Sequence, residues 1–197
     1  MTYEALRADG TQPNLTLTFH GTGAAPAQLH GLAQAFMPDD HVVSPLGDVD
    51  ENGSARFFRR TGEGIYDMDD LARAVAKMVA FISAETARTG ATHVTGIGYS
   101  NGANILTATA MARPDLFDTL VLMHPLIPWD PAPCHGMAAK RVLITAGQKD
   151  PICPAPLTQR LAEWFTEQKA DCLLAWHPGG HGIPQSEVEA VAGFLMP

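Results

Sequence analysis

The sequence has 197 residues, of which 46% are hydrophobic and 17% are charged, and its formal net charge is −8 at pH 7. This length and apolar content are typical of one folded domain with a full-sized core, so we predict a single domain over residues 1–197. The negative charge argues against nucleic acid or an anionic membrane as a partner, because both attract basic surfaces. The sequence contains no stretch of 18 uninterrupted apolar residues, so we expect no membrane span.

The N-terminal residues and the cysteines favour a reducing compartment. Residues 1–7 lack the basic region and the apolar run of a secretory signal. The cysteines, Cys134, Cys153 and Cys172, are odd in number and form no CxxC pair, so we expect neither disulfides nor a zinc cage. We therefore predict a cytoplasmic protein. Because HExxH and clustered ligand motifs are missing from the sequence, we expect no metal and no other cofactor.

Short apolar runs alternate with segments of helical periodicity along the chain. Short runs that are apolar on both faces of the strand are typical of buried parallel strands. The predicted strands are 15–19, the surroundings of 42–43, 94–97, 120–123, 142–145 and 172–176. The predicted helices are 68–89, which ends at Gly90, 101–112, and segments around 157–165 and 188–195. This alternation predicts an α/β fold with a mostly parallel central sheet, helices on both faces, and the chemistry at the carboxyl ends of the strands.

The segment Gly98-Tyr-Ser-Asn-Gly102 lies between a predicted strand and a predicted helix. It matches G-x-S-x-G, the turn that exposes a nucleophilic serine at the edge of an α/β-hydrolase sheet. We therefore predict that Ser100 is a nucleophile that forms an acyl-enzyme. The alternative is an ordinary glycine-rich turn in which Ser100 only caps the following helix.

A serine nucleophile needs a base and an acid, which follow it along the chain in this fold. His181 lies in a glycine-rich loop after the last predicted strand and is the predicted base, with His177 as its competitor. Asp150 follows the strand 142–145 and is the predicted acid, which fixes the tautomer of the histidine. Asp130, in a proline-rich loop, is the rival acid.

An oxyanion hole completes the predicted site. Residues 19–23 follow the first apolar strand and contain two glycines, which free the backbone to aim N–H groups inward. We assign the hole to the backbone N–H groups of Thr22 and Asn101. His20, at the strand end, is expected to orient this loop and not to catalyse.

These motifs resemble those of the phospholipase/carboxylesterase family, which includes the acyl-protein thioesterases. The resemblance lies in residues 20–23, 98–103, 147–150 and 179–184, and it extends over about residues 15–195. Residues 56–67 are similar to a bacterial branch of small carboxylesterases near the hydroquinone-resistance hydrolases. The resemblance implies an α/β-hydrolase fold without a large cap, an esterase or lysophospholipase activity, and often a homodimer.

The expected substrate is a small-molecule ester with a short or medium acyl chain, or an aromatic ester. Each buried methylene contributes about 0.8 kcal/mol, so a preference for long chains needs an extended apolar groove. Only two loops, 43–66 and 123–140, offer apolar surface, and some of their side chains could belong to the core instead. The candidate pocket residues are Phe57, Ile65, Leu126, Ile127, Trp129 and Ile152. Arg59 and Arg60 could steer an anionic substrate or belong to a solvated loop.

Other functions remain open at this point. A nucleotide-binding module is disfavoured, because the glycines around 96–102 do not have G-x-G-x-x-G spacing and no G-x-x-x-x-G-K-[ST] loop occurs. A lysophospholipase, a thioesterase or a perhydrolase would use the same triad and oxyanion hole. A relative that only binds a small ligand is a further alternative.

Overall fold

The computed structural model describes residues 2–196, in which eleven strands are assigned. In chain order the strands are β1 (Ala5–Ala8), β2 (Asn14–Phe19), β3 (His41–Pro45), β4 (Val49–Glu51), β5 (Ser54–Arg56), β6 (Arg60–Gly62), β7 (Ile65–Tyr66), β8 (His93–Tyr99), β9 (Thr119–Met123), β10 (Arg141–Gly147) and β11 (Asp171–His177). Seven of them form the central sheet in the order β1-β3-β2-β8-β9-β10-β11. Only the edge strand β1 runs antiparallel to its neighbour in this sheet, which confirms the predicted mostly parallel arrangement.

Helices cover both faces of the central sheet. They are α1 (Ala27–Phe36), α2 (Met68–Thr89), α3 (Asn101–Ala112), α4 (Ala155–Glu167) and α5 (Gln185–Leu195). Successive side chains of a strand point to opposite faces, and β9 illustrates the result. Leu120 and Leu122 pack in the core that contains residues of α2, α3 and α4, whereas Val121 and Met123 pack in the core that contains residues of α1 and α5.

Local signals set the bounds of α2. The side chain of Asp67 accepts a hydrogen bond from the backbone N–H of Asp70 and caps the first turn. Gly90 ends the helix in the left-handed conformation, with φ of 65°. The predicted bounds of this helix are therefore confirmed.

The segment between β3 and α2, interpreted from the sequence as a loop, forms two short hairpins. β4 pairs with β5 and β6 pairs with β7, in both cases antiparallel. The turn of the first hairpin consists of Asn52 and Gly53, which both have positive φ, as two-residue hairpin turns favour. Each strand has only two or three residues, too few to show an alternating pattern in the sequence.

Two features bear on the predicted absence of a cap and of a membrane span. The segment between β9 and β10 contains one short 3-10 helix, His135–Met137, and otherwise no regular secondary structure. Among the helices of residues 2–196, none combines the length and the apolarity needed to cross a bilayer.

Candidate active site

Three strands of the central sheet bring Ser100, Asp150 and His181 together. Ser100 follows β8 directly, Asp150 lies three residues after β10, and His181 lies four residues after β11. The Nε2 atom of His181 lies 2.9 Å from Ser100 Oγ, and its Nδ1 atom lies 2.7 Å from Asp150 Oδ2. The Asp150 carboxylate accepts a hydrogen bond from Nδ1, so the proton of neutral His181 lies on that nitrogen. Nε2 is then free to accept the hydrogen bond of the serine hydroxyl.

Ser100 occupies a strained turn between β8 and α3. Its φ of 51° and ψ of −118° lie outside the regions that non-glycine residues prefer. A Cβ atom on Gly102 would overlap the carbonyl group of Phe19, and one on Gly98 would lie 2.7 Å from Ala103 Cα. Ser100 makes no side-chain capping bond to α3, so its hydroxyl faces His181 and does not serve as an N-cap.

The carboxylate of Asp150 is fully buried and accepts four hydrogen bonds. Oδ1 accepts from the backbone N–H groups of Ile152, at 2.8 Å, and Cys153, at 3.0 Å. Oδ2 lies 2.7 Å from the Nδ1 atoms of both His181 and His124. Burial raises the pKa of Asp150, but the bonds from Cys153, His124 and His181 outweigh burial and hold this pKa below its ordinary value. Asp150 is therefore ionised at neutral pH.

The two rival residues lie elsewhere. The side chain of Asp130 is 86% exposed and pairs with Arg160 at the surface. His177 is buried, and its Nε2 atom faces that of His124 at 3.3 Å. The hydrogen bonds of the described residues join neither Asp130 nor His177 to Ser100.

Thr22 and Asn101 line the same cavity as Ser100. The N–H of Asn101 belongs to the first turn of α3, where a helix offers no internal acceptor. Within residues 2–196, the N–H of Thr22 also has no protein acceptor. The neighbouring His20 is buried and bonds Gly21 O through Nδ1, while its Nε2 accepts from the N–H of Gly47. His20 thus ties two loops together.

The cavity above Ser100 has a volume of about 290 Å³, and most of the residues that line it carry a polar or charged group. Tyr66 forms part of this wall, and its hydroxyl bonds both Asn104 Nδ2 and Leu126 O at 2.7 Å. Arg56 is buried at the wall, whereas Arg60 is paired with Glu51 and Glu63. The lining residues are Thr22, Arg56, Arg60, Glu63, Gly64, Tyr66, Tyr99, Ser100, Asn101, Asn104, Leu126, Ile152, Cys153 and His181.

The structure places two of the six candidate pocket residues, Leu126 and Ile152, at this cavity. The other four do not line it. Phe57 and Ile127 are buried in the core, and Trp129 packs against that core beside Tyr66. Ile65 is 63% exposed on the short hairpin. Because three of these side chains pack in or against the core and the fourth faces solvent, Arg56 and Tyr66, which were not among the six candidates, line the cavity instead.

A second buried cluster, also missed from the sequence, adjoins Asp150. His124 follows β9 and contacts Asp150 through Nδ1, Glu187 through Nε2 at 3.2 Å, and His177. These side chains are of metal-ligand type, but hydrogen bonds already satisfy them. The N–H of Gly179 donates to His177 Nδ1, so the proton of neutral His177 lies on Nε2, which is then not free to bind a metal. The signal that could have identified His124 from the sequence is its position directly after the predicted strand 120–123.

Comparison with known proteins places the chain in a family. The sequence model of the dienelactone hydrolase family matches residues 51–191. The Bacillus subtilis (strain 168) protein named "Putative hydrolase MhqD" is 35% identical over 182 residues, which are 91% of each chain. The solved structure of Atu2452, a protein of unknown function from Agrobacterium tumefaciens str. C58, has a TM-score of 0.92 and 46% identity, over 98% of this chain and 95% of that one.

A solved Bacillus cereus carboxylesterase is similar as well. It has a TM-score of 0.90 and 30% identity, and the match covers 98% of this chain and 93% of that one. These matches confirm the α/β-hydrolase fold and the resemblance to small bacterial carboxylesterases. The chain therefore belongs to the dienelactone hydrolase family and is a carboxylic ester hydrolase.

Proposed function

We propose that the protein cleaves carboxylic esters through an acyl-enzyme formed on Ser100. The observation that carries this proposal is the continuous chain of contacts from Ser100 Oγ to His181 Nε2 and from His181 Nδ1 to Asp150 Oδ2. A weak nucleophile becomes reactive when a base that is itself oriented by an acid lies beside it. A protein that only binds a ligand would need no such alignment.

The reaction follows in two halves. His181 Nε2 takes the hydroxyl proton of Ser100 as Oγ attacks the ester carbonyl, and the backbone N–H groups of Thr22 and Asn101 stabilise the resulting oxyanion. The tetrahedral intermediate expels the alcohol, which leaves with the proton from His181. Water then attacks the acyl-enzyme while His181 accepts its proton. That proton returns to Ser100 Oγ as the carboxylic acid is released.

The cavity supports a small ester as the substrate. Its volume of about 290 Å³ lies at the lower end of the range of ligand pockets. Charged and hydroxyl-bearing side chains line much of it, and Leu126 and Ile152 are its larger aliphatic residues. This wall favours short or medium acyl chains, or an aromatic ring, over the long chains that a lysophospholipase or a protein thioesterase accepts.

The experiment that tests the proposal is covalent labelling with a fluorophosphonate. The probe should add its mass to the Ser100 peptide of the native protein, and Ser100→Ala should lose both labelling and hydrolysis of p-nitrophenyl acetate. Labelling at another residue, or hydrolysis that survives in Ser100→Ala, would contradict the proposal. Asp130→Asn serves as a matched control, since this exposed side chain lies outside the site and both readouts should remain.

A further inference from the structure

Two histidines, the buried His124 and the partly exposed His181, share the carboxylate of Asp150. The Nδ1 atoms of His181 and His124 both lie 2.7 Å from Oδ2, and the centroids of the two rings are 5.0 Å apart. His181 reaches Ser100 through its other nitrogen. His124 instead turns its other nitrogen away, towards the interior between β9 and α5.

That second nitrogen of His124 faces another buried carboxylate. Nε2 lies 3.2 Å from Oε2 of Glu187, whose other oxygen accepts the hydroxyl of Thr145. Ionised carboxylates only accept hydrogen bonds, so both nitrogens of His124 must donate when both acids are ionised. No Lys or Arg of residues 2–196 forms an ion pair with Asp150 or Glu187. An imidazolium at His124 would supply the cation that two ionised acids at these buried positions need.

The other groups that face His124 are His177, Tyr99 and the thiol of Cys153. His177 accepts the N–H of Gly179 at Nδ1 and thus carries its proton on Nε2. Two N–H groups cannot bond each other, so this N–H and that of His124 share Oε2 of Glu187, at 3.7 Å and 3.2 Å. Tyr99 packs its ring against His124, and burial raises the pKa of Tyr99 to about 12. The thiol of Cys153 donates to His124 O, and burial raises the pKa of this thiol as well. The charges that act on His124 therefore come from Asp150 and Glu187.

The electrostatic balance agrees with this geometry. Burial lowers the pKa of His124, but the hydrogen bonds and charges of Glu187 and Asp150 outweigh burial and raise the pKa above its ordinary value. His124 and Glu187 together then carry no net charge. The positive end of the pair adjoins Asp150, and its negative end lies on the far side.

We propose that His124 is a positioning residue of the esterase. Glu187 holds His124 as an imidazolium, which partly neutralises the charge of Asp150 and thereby lowers the basicity of His181. The inference rests on the proposed function, since it assigns His181 as the base. Protonated His181 would share Asp150 with a second cation whose ring lies 5.0 Å away. Because this repulsion disfavours the protonated form, His181 remains able to accept the Ser100 proton at a lower pH.

The test is the pH profile of kcat/KM for p-nitrophenyl acetate. His124→Asn removes the cation but keeps an amide that can donate to Asp150, and asparagine tolerates the φ of 51° at this position. Glu187→Gln keeps the shape of the acid and removes the charge that holds the proton on His124. In each variant the acidic limb should move upward by about one pH unit. The double variant should move no further than the larger single shift, because both changes act through the same proton.

His177→Gln is the matched control, because His177 contacts His124 and Glu187 without touching Asp150. Its acidic limb should stay within about 0.3 pH units of the wild type. If His124 and Glu187 only support the fold, their variants will lower the melting temperature or the plateau rate and leave the limb in place. That result would overturn the proposal.

NMR of protein with 15N-labelled histidine gives a second readout that needs no turnover. Both ring nitrogens of His124 should carry protons at pH 7 in the wild type and in Ser100→Ala, whereas Glu187→Gln should lose one of them. A neutral His124 in the wild type would overturn this inference and leave the proposed esterase intact. Conversely, a protonated His124 in a protein that neither labels nor hydrolyses esters would count against the proposed function alone.

Discussion

Arg56 donates a hydrogen bond from Nη1 to the hydroxyl oxygen of Thr22 over 2.7 Å. The guanidinium is buried, and its nearest carboxylate oxygen, on Glu51, lies 3.7 Å away and is already bonded to Arg60. A buried charge is costly unless it is paired or hydrogen-bonded, so the bond to Thr22 stabilises the Arg56 guanidinium. The same bond holds the side chain of Thr22, whose backbone N–H we propose as an oxyanion donor.

Arg56→Met should therefore lower kcat/KM for p-nitrophenyl acetate by about 10- to 100-fold, because a displaced oxyanion donor stabilises the transition state less well. The rate loss should appear mainly in kcat, and Thr22→Val should show a loss that does not add to it. Arg59→Met is the matched control, since the Arg59 side chain is 66% exposed and is expected to change kcat/KM little. Equal losses in the Arg56 and Arg59 variants would show that the contact with Thr22 does not matter.

The two histidines that compete for the role of base differ in what they touch. His181→Ala should lower kcat by about 10³-fold or more, because it removes the group 2.9 Å from Ser100 Oγ. His177→Ala should cost less than about tenfold, since the His177 side chain contacts the buried His124 cluster and Gly179 but does not bond Ser100. Steady-state kinetics of the two purified variants decides between them, and the opposite order would transfer the role of base to His177.

Much of the candidate triad could be predicted from the sequence because each member has a local marker. Ser100 lies in a G-x-S-x-G turn, and Asp150 and His181 each follow a short apolar run in the chain order of the fold. Strand ends of a parallel sheet lie along one edge, so residues far apart in the sequence meet there. The structure accordingly brings the three residues together.

The cavity wall and the second histidine could not be predicted in the same way. Phe57 and Arg56 are neighbours, and polarity alone suggested that the aromatic ring would face the substrate. The packing reverses this expectation, because the ring fills the core and the guanidinium bonds Thr22. The contact between His124 and Glu187 joins residues 63 positions apart, and no local pattern encodes that pairing.

Asp150→Asn should reduce kcat by about 10³-fold or more, because an amide cannot hold His181 in the required tautomer and charge state. The variant should also lose part of the pH dependence of stability. The pKa of Asp150 is lowered by folding, so its carboxylate stabilises the native state above the ordinary pKa of about 3.9, and this contribution disappears as the pH falls through the native pKa. Chemical denaturation from pH 3 to 7 measures the effect, with Asp130→Asn as the exposed control.

Gly102→Ala should disrupt the turn at Ser100, since its new Cβ would overlap the carbonyl group of Phe19. We expect a loss of folded protein or a clear drop in melting temperature, together with a loss of fluorophosphonate labelling. Gly31→Ala is the control, because a Cβ at that position in α1 meets nothing within 4 Å. It should leave stability unchanged or raise it by about 0.5–1 kcal/mol, as expected for alanine in a helix. A normal melting temperature for Gly102→Ala would show that the turn can relax.

The acyl preference follows from the size and polarity of the cavity. Each buried methylene contributes about 0.8 kcal/mol, so kcat/KM should rise with chain length only while the added carbons find apolar surface. Leu126 and Ile152 offer such surface, whereas Arg56, Arg60 and Glu63 oppose it with charge. We expect kcat/KM of p-nitrophenyl esters, measured below the critical micelle concentration, to reach its maximum between C2 and C6. Ile152→Ala should weaken the gain from acetate to butyrate, because it removes part of the apolar wall. A steady rise from C2 through C12 would instead favour a lysophospholipase or thioesterase, because chains of that length need a groove that these residues do not form.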